Sequence, residues 1–130
     1  MRNHLFNTEK IKYVGGKKPN MGCILCAIRD HDPEVEVLEV FRTSDFIVTV
    51  NLYPFNPKHL MIFPVRHVQN LEDLSDHEAL EIHHLTVKTL SFLKEEFNPS
   101  GFNVGFNQGK WSGASIDHIH QHIVPRFPNE

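Results

Sequence analysis

Three histidines recur at every second position near the end of the chain: His118, His120 and His122. Alternate residues of a β-strand share one face, so a strand over 118–126 would align the three imidazoles about 7 Å apart. Imidazole titrates near neutrality and can serve as nucleophile, proton donor or metal ligand. The alternative is an exposed strand whose polar residues have no joint role. Three histidines on one face, with Pro125 ending the strand, favour a functional site.

Two thiols lie three positions apart at Cys23 and Cys26. They are too close for a framework disulfide, and in an intracellular chain this spacing indicates zinc or redox chemistry. The alternative is a pair of small core residues, because free cysteine is commonly buried.

Composition limits the class of protein. The 130 residues suit a single domain, with residues 1–20 as a polar, basic arm and 21–130 as the folded unit. No apolar run reaches eighteen residues and no signal-peptide core is visible, so we expect a cytoplasmic protein without a membrane partner. The net charge of −3 disfavours a nucleic-acid surface, which needs a basic patch.

The pattern of apolar residues predicts the elements that hold these groups. We expect strands at about 37–42, 46–51, 60–63, 101–107 and 118–126, and a short helical turn around the cysteines. Ser75 and Glu78 form a capping-box pattern for one long helix, which Asn98 and Pro99 bring to an end. Five short strands with one crossing helix predict an α+β layer.

Taken together, these segments resemble the histidine triad (HIT) family. The matching segments follow the family's order and comprise 22–26, 51–59, 63–67, 101–107 and 118–126. The similarity covers about residues 21–126, and it is closest to the branch of diadenosine tetraphosphate phosphorylases and hydrolases. The resemblance implies an antiparallel sheet of about five strands with one long helix and a short N-terminal helix, in a homodimer.

The resemblance also implies an activity, a nucleotide hydrolase or transferase that attacks an α-phosphate. His120 would be the nucleophile and would form a covalent nucleotidyl-imidazole, later resolved by water or phosphate. His122 would act as donor, and His59 would reach in from a proline-rich loop. A neutral imidazole needs an acceptor on its other nitrogen to fix the tautomer, and a backbone carbonyl near Gly113 could serve.

Several polar residues around the triad could bind the substrate. Asn51 and Asn107 carry uncharged donors suited to ribose or phosphate oxygens, although both could simply end strands. Trp111 could stack on a base or pack within its loop. Backbone N–H groups able to cradle a phosphate are offered by Ser112, Gly113, Ala114 and Ser115.

The resemblance also implies a metal site. Cys23, Cys26, His67 and His118 form a Cys₂His₂ set suited to tetrahedral, structural zinc, as in some HIT proteins. No organic cofactor is expected.

Two residues depart from the family pattern. Lys58 stands where the family usually has glycine, and it could add charge near the phosphates or require a different turn. Gln121 stands where an apolar residue is usual. Two other functions stay open, a nucleoside phosphoramidase and a nucleotide-binding sensor with little catalysis. The histidines on or beside the long helix, His77, His83 and His84, are expected to be solvated.

Overall fold

A five-stranded antiparallel sheet with strand order β1-β2-β3-β5-β4 forms the centre of the molecule. The computed structural model describes residues 22–35, 38–52, 55–112 and 116–130. The predicted N-terminal arm, and its predicted boundary with the folded unit after residue 20, lie outside the described residues. In chain order the elements are α1 (Ile24–Arg29), β1 (Glu39–Arg42), β2 (Phe46–Leu52), β3 (Phe55–Pro64), α2 (Asp76–Phe97), β4 (Gly101–Phe106) and β5 (Gln121–Arg126). The predicted α+β fold is confirmed.

The long helix α2 begins at its predicted capping box. The Ser75 hydroxyl accepts from the Glu78 backbone N–H at 3.1 Å, and the Glu78 carboxylate accepts from the Ser75 N–H at 2.8 Å. The helix ends where Asn98 adopts a left-handed conformation with φ of 47°. No helix in the described part of the chain has the length and apolarity needed to cross a bilayer.

The sheet has a different cover on each face. Helix α2 packs on one face, where the buried strand residues include Val48, Val50, Leu60, Ile62 and Ile123. Helix α1 packs on part of the other face, against Ile47, Met61 and Phe63. We call the first the helix side and the second the open side, because α1 leaves room there for a cleft. The strict alternation of these residues along β2 and β3 produces the division.

Thr49 lies on the open side, and its buried hydroxyl lacks a hydrogen bond in the described structure. Its side chain is 1% exposed, and its hydroxyl has no hydrogen-bond partner among the described residues. A buried hydroxyl without a partner loses its hydration and gains nothing in return. We expect Thr49→Val to raise the free energy of unfolding by about 1 kcal/mol, measured by urea denaturation. An unchanged or lower free energy of unfolding would contradict this. The matched control is Thr89→Val, which removes a hydroxyl that donates a hydrogen bond to the Leu85 carbonyl.

Two predicted strand boundaries are wrong. Strand β5 begins at Gln121, three residues after the predicted start, because the Ile119 N–H donates to the Val68 carbonyl at 2.6 Å and the His118 carbonyl accepts from the His120 ring. These bonds take the segment out of the ladder. Strand β3 begins at Phe55 and so includes part of the predicted proline-rich loop.

Candidate functional site

The imidazoles of His59, His120 and His122 meet on the open side of the sheet. His122 lies at the start of β5, opposite Met61 of β3 and Gly105 of β4. His59 Nε2 lies 2.8 Å from His122 Nδ1, and the ring centres are 5.0 Å apart. The rings of His120 and His122 are 4.8 Å apart. This is closer than the spacing expected along a strand, because His120 precedes β5.

A backbone carbonyl fixes the tautomer of His120. Its Nδ1 lies 2.8 Å from the His118 carbonyl oxygen, which can only accept, so Nδ1–H is the donor. In the neutral ring Nε2 then holds the lone pair of a nitrogen nucleophile. The acceptor is therefore the carbonyl two residues before the ring, and the suggestion of one near Gly113 is wrong. Gly113 itself lies outside the described residues.

Burial keeps the two neighbouring histidines uncharged. It lowers the pKa of His122 to about 4, and the proximity of His120 and His59 acts in the same direction. Burial also lowers the pKa of His59, with His120 again adding to the effect. Both rings are consequently neutral at pH 7. An anionic phosphate placed beside them would favour their protonated forms and make them proton donors.

The lowered pKa of His122 predicts how stability depends on pH. The ring titrates near 6.5 when unfolded and near 4 when folded, so between these values the unfolded chain binds more protons. The contribution of His122 is fully present above pH 6.5 and is lost as the pH falls towards 4. We expect the Tm of the wild type to fall by a few degrees more between pH 7 and pH 5 than that of His122→Gln. An equal fall in Tm for the wild type and His122→Gln would contradict this. The control is His84→Gln, altered at an exposed helix position, which should show the same fall in Tm as the wild type.

A cleft of about 360 Å³ opens beside these rings. Gly105 lies directly opposite His122 in the ladder and has no side chain to cover it. Asn107, one of the predicted binding residues, is exposed at the cleft. The remaining lining residues are His59, Asn103, Val104, Phe106 and Val124. Polar groups on an apolar wall are typical of a site for a small ligand.

The other predicted binding residues are distributed as follows. Asn51 pairs with Asn56 in the β2–β3 ladder, and its side chain lies outside the described part of the structure. The Ser112 hydroxyl is exposed and donates to the Gly109 carbonyl at 2.7 Å. Trp111 is 94% exposed, so packing within its loop does not bury it. Residues 113–115 lie outside the described ranges, and their role stays a prediction.

One polar residue of the cleft was not singled out from the sequence. Asn103 lines the cleft, and its side-chain oxygen accepts from Arg126 at 2.9 Å, so its amide nitrogen can donate to a ligand. The alternation of Asn103, Gly105 and Asn107 along one strand was the signal that could have identified it.

Four potential metal ligands lie together: Cys23, Cys26, His67 and His118. One ligand atom of each lies within 4.8 Å of the others. His118 Nδ1 lies 3.3 Å from Cys23 Sγ and 3.5 Å from Cys26 Sγ, and His67 Nδ1 lies 3.2 Å from Cys26 Sγ. With Zn–S of about 2.3 Å and Zn–N of about 2.0 Å, a tetrahedral site has S···N edges of about 3.5 Å. The four groups therefore fit a tetrahedral zinc ion.

The protonation of His118 also suits a metal. Its Nε2 lies 2.8 Å from the Pro64 carbonyl, so Nε2–H donates and Nδ1 faces the thiols with its lone pair. Burial lowers the pKa of this ring to about 4. Burial, followed by the side-chain hydrogen bond with Cys23, raises the pKa of Cys26 to about 11, so without a cation this thiol keeps its proton. A metal ion would replace that proton.

The two departures from the family pattern both have partners on the helix side of the sheet. The Lys58 ammonium lies over the rings of Phe97 and Phe127, so the suggestion that it adds charge near the phosphates is wrong for this structure. The Gln121 side chain lies 2.7 Å from the Thr86 hydroxyl, which accounts for a polar residue there. The predicted solvation of the helix histidines agrees with their exposure at 77, 83 and 84.

Comparisons with known proteins agree with this arrangement. A family model described as the HIT domain matches residues 27–129. An AP-4-A phosphorylase of Mycobacterium tuberculosis (strain ATCC 25618 / H37Rv) is 45% identical over 93 residues, which are 71% of this chain and 48% of that protein. The chain thus spans about half the length of this relative. A bis(5'-adenosyl)-triphosphatase of Dictyostelium discoideum is 33% identical over 89 residues, 68% of this chain and 60% of that protein.

Solved structures share the same architecture. A member of the HIT family from Bacillus subtilis has a TM-score of 0.75 and 26% identity, over 84% of this chain and 76% of that one. A Zn-bound histidine triad family protein from Mycobacterium smegmatis has a TM-score of 0.74 and 24% identity, over 86% of this chain and 80% of that one. At this level of identity the second likeness concerns the fold alone.

Proposed function

The chain belongs to the HIT domain family, and on that premise we propose that it is a nucleotidyl hydrolase or transferase acting on diadenosine polyphosphates. The observation that carries the proposal is the orientation of His120, whose Nδ1–H donates to the His118 carbonyl and whose ring contacts that of His122, a residue that lines the cleft. The similarity to a phosphorylase and a triphosphatase of adenine dinucleotides supports this substrate class.

In the proposed reaction, Nε2 of His120 attacks the α-phosphorus of diadenosine tetraphosphate. A P–N bond forms as the bond to the bridging oxygen breaks, and ATP leaves. The P–N bond of the resulting adenylyl-imidazole is then broken by water, which gives AMP, or by phosphate, which gives ADP. Dividing the substitution in this way replaces one difficult step by two easier ones.

The neighbouring residues would serve these two steps. His122, protonated once the polyphosphate lies beside it, donates its proton to the departing oxygen. His59 holds the other nitrogen of His122 at 2.8 Å and so orients that donor. Asn103 and Asn107 at the cleft offer uncharged donors to ribose or phosphate oxygens.

We also propose that Cys23, Cys26, His67 and His118 hold a structural zinc ion. When bound, the metal would act as a cross-link between α1, the segment after β3 and the approach to β5. The donor set and its spacing support this assignment. Cys23 and Cys26 are free thiols, which is in keeping with a reducing cytoplasm.

The family resemblance further supports a homodimer. Strand β4 lies at the end of the sheet, Val104 on it is 43% exposed, and Trp111 in the segment that follows is 94% exposed. Exposed apolar groups beside a strand edge suit a contact with a second copy. Light scattering coupled to size-exclusion chromatography should give a mass near twice the 15.1 kDa of the chain.

The activity is tested by incubating the protein with diadenosine tetraphosphate, with and without inorganic phosphate, and separating the nucleotides. ADP and ATP formed only with phosphate identify a phosphorylase, and AMP and ATP without phosphate identify a hydrolase. His84→Ala, altered at an exposed helix position, should retain full activity.

Absence of turnover under both conditions would overturn the dinucleotide assignment. Adenosine 5′-monophosphoramidate is then the next substrate, because the same nucleophile can displace an amine from phosphorus. Adenine nucleotide binding that survives His120→Ala, without turnover of either substrate, would identify a sensor.

A further inference from the structure

Lys58 and His59 are consecutive residues of β3, and their side chains make contacts on opposite sides of the sheet. The Lys58 Nζ lies 4.6 Å from the ring centre of Phe127 and 5.1 Å from that of Phe97. Both distances fall within the roughly 6 Å at which the face of an aromatic ring attracts a cation. His59 meanwhile lines the cleft on the open side. Lys58 is therefore held on the helix side of the sheet, while His59 lines the cleft on the open side.

The two rings belong to separate parts of the framework. Phe97 is the last residue of α2 and packs against the core of the helix side. Phe127 directly follows the end of β5, the strand that carries His122. The ammonium of Lys58 thus connects β3 to the end of the long helix and to the end of the histidine-bearing strand.

The backbone at this point departs from a regular ladder. The β2–β3 register steps from Val50–Leu60 to Asn51–Asn56, so residues 57–59 form a bulge. Pairing of β3 with β5 begins at Leu60, directly after His59. A bulge bends its strand and redirects the side chains on it. Side-chain contacts of the bulge therefore contribute to the direction in which His59 points.

We propose that Lys58 is a positioning residue for His59. Its ammonium, held between the rings of Phe97 and Phe127, sets the bulge so that the His59 imidazole meets His122. The kinetic part of this inference rests on the proposed nucleotidyl chemistry. A displacement of about 1 Å in a catalytic constellation can lower a rate by about 10²-fold.

The first test is Lys58→Met, which keeps an unbranched apolar stem and removes the charge. We expect kcat for diadenosine tetraphosphate to fall by about 10- to 100-fold, with KM changed by less than about threefold. Lys58→Arg should retain most activity, because guanidinium also stacks on aromatic rings. Lys88→Met is the matched control, since it removes a lysine whose Nζ lies 5.6 Å from the Phe41 ring, away from the cleft.

A double-mutant cycle separates positioning from a general structural effect. In a His59→Ala background, Lys58→Met should cause no further loss of kcat, because the group it positions is gone. An equal loss in both backgrounds would overturn the proposal. So would a rise in KM at unchanged kcat, which would indicate that Lys58 binds the substrate directly.

A second measurement does not depend on turnover. Imidazole ¹⁵N–¹H spectra should show the ring signals of His59 and His122 displaced in Lys58→Met, with those of His83 and His84 unchanged. Phe127→Leu, which leaves β3 untouched, should displace the same two signals. If the intact protein has no turnover, the proposed activity fails while these spectra still decide the role of Lys58. Unchanged His59 and His122 signals in both folded variants would overturn it.

Discussion

Replacing His120 with asparagine is expected to lower kcat/KM for diadenosine tetraphosphate by about 10⁴-fold or more. Asparagine can still bond to the His118 carbonyl through its amide, but it offers no nitrogen lone pair to phosphorus. Without the nucleophile the two-step route is closed, and losses of this size are typical when a covalent catalyst is removed. Steady-state kinetics under the conditions found for the wild type measure the change.

A trapping experiment identifies the reacting atom independently. Substrate labelled at the α-phosphate and quenched within one turnover should leave label on the wild-type protein and none on His120→Asn. The expected adduct is acid-labile and stable to base, as a P–N bond to imidazole is. Label on another residue, or a variant within tenfold of the wild type, would show that His120 is not the nucleophile. His83→Asn, altered at an exposed helix position, should behave as the wild type.

The second large effect concerns the cysteine–histidine cluster. The purified protein is expected to contain about one zinc per chain, and Cys26→Ser to retain less than about a fifth of that. Because the binding free energy of a structural metal contributes to folding, Tm should fall by more than about 10 °C. Mass spectrometry for metals and scanning calorimetry give the two quantities.

Chelation provides the control for this experiment. Removing the metal from the wild type should lower Tm to near that of Cys26→Ser and leave Tm of the variant unchanged. Added zinc should restore the wild type only. A wild type that binds no zinc and is indifferent to chelator would refute the assignment and leave the cysteines as packed core groups.

Local periodicity explains why much of the fold could be predicted. The capping box at Ser75 and the apolar spacing behind it specify α2 through interactions within one helix. The start of β5 could not be predicted, because His118 and His120 bond to each other and remove backbone groups from the ladder. The bulge before Leu60 likewise depends on how three strands meet, which local sequence does not encode.

The candidate site could also be predicted only in part: its side chains could be predicted, and the backbone groups that orient them could not. The side chains that converge on the metal cluster and the cleft are unusual residue types at suggestive spacings, and the family resemblance orders them. The groups that fix their tautomers are the carbonyls of Pro64 and His118. Every residue has a carbonyl, so no composition or spacing marks these two. Only the folded backbone identifies them.

His118 therefore contributes to two centres through different parts of one residue. Its ring faces the thiols, and its carbonyl orients His120. A side-chain scan changes the ring and keeps the carbonyl, so it will record His118 only as a residue that matters to the cluster. The orienting contribution becomes measurable when the peptide link after residue 118 is replaced by an ester, which weakens the carbonyl as an acceptor while the imidazole stays in place. Because this ester also removes the Ile119 N–H that donates to the Val68 carbonyl, an ester after residue 68, which weakens that acceptor and leaves the His118 carbonyl unchanged, is the control. Atomic mutagenesis of the main chain is thus the approach that can separate metal binding from activation of the nucleophile.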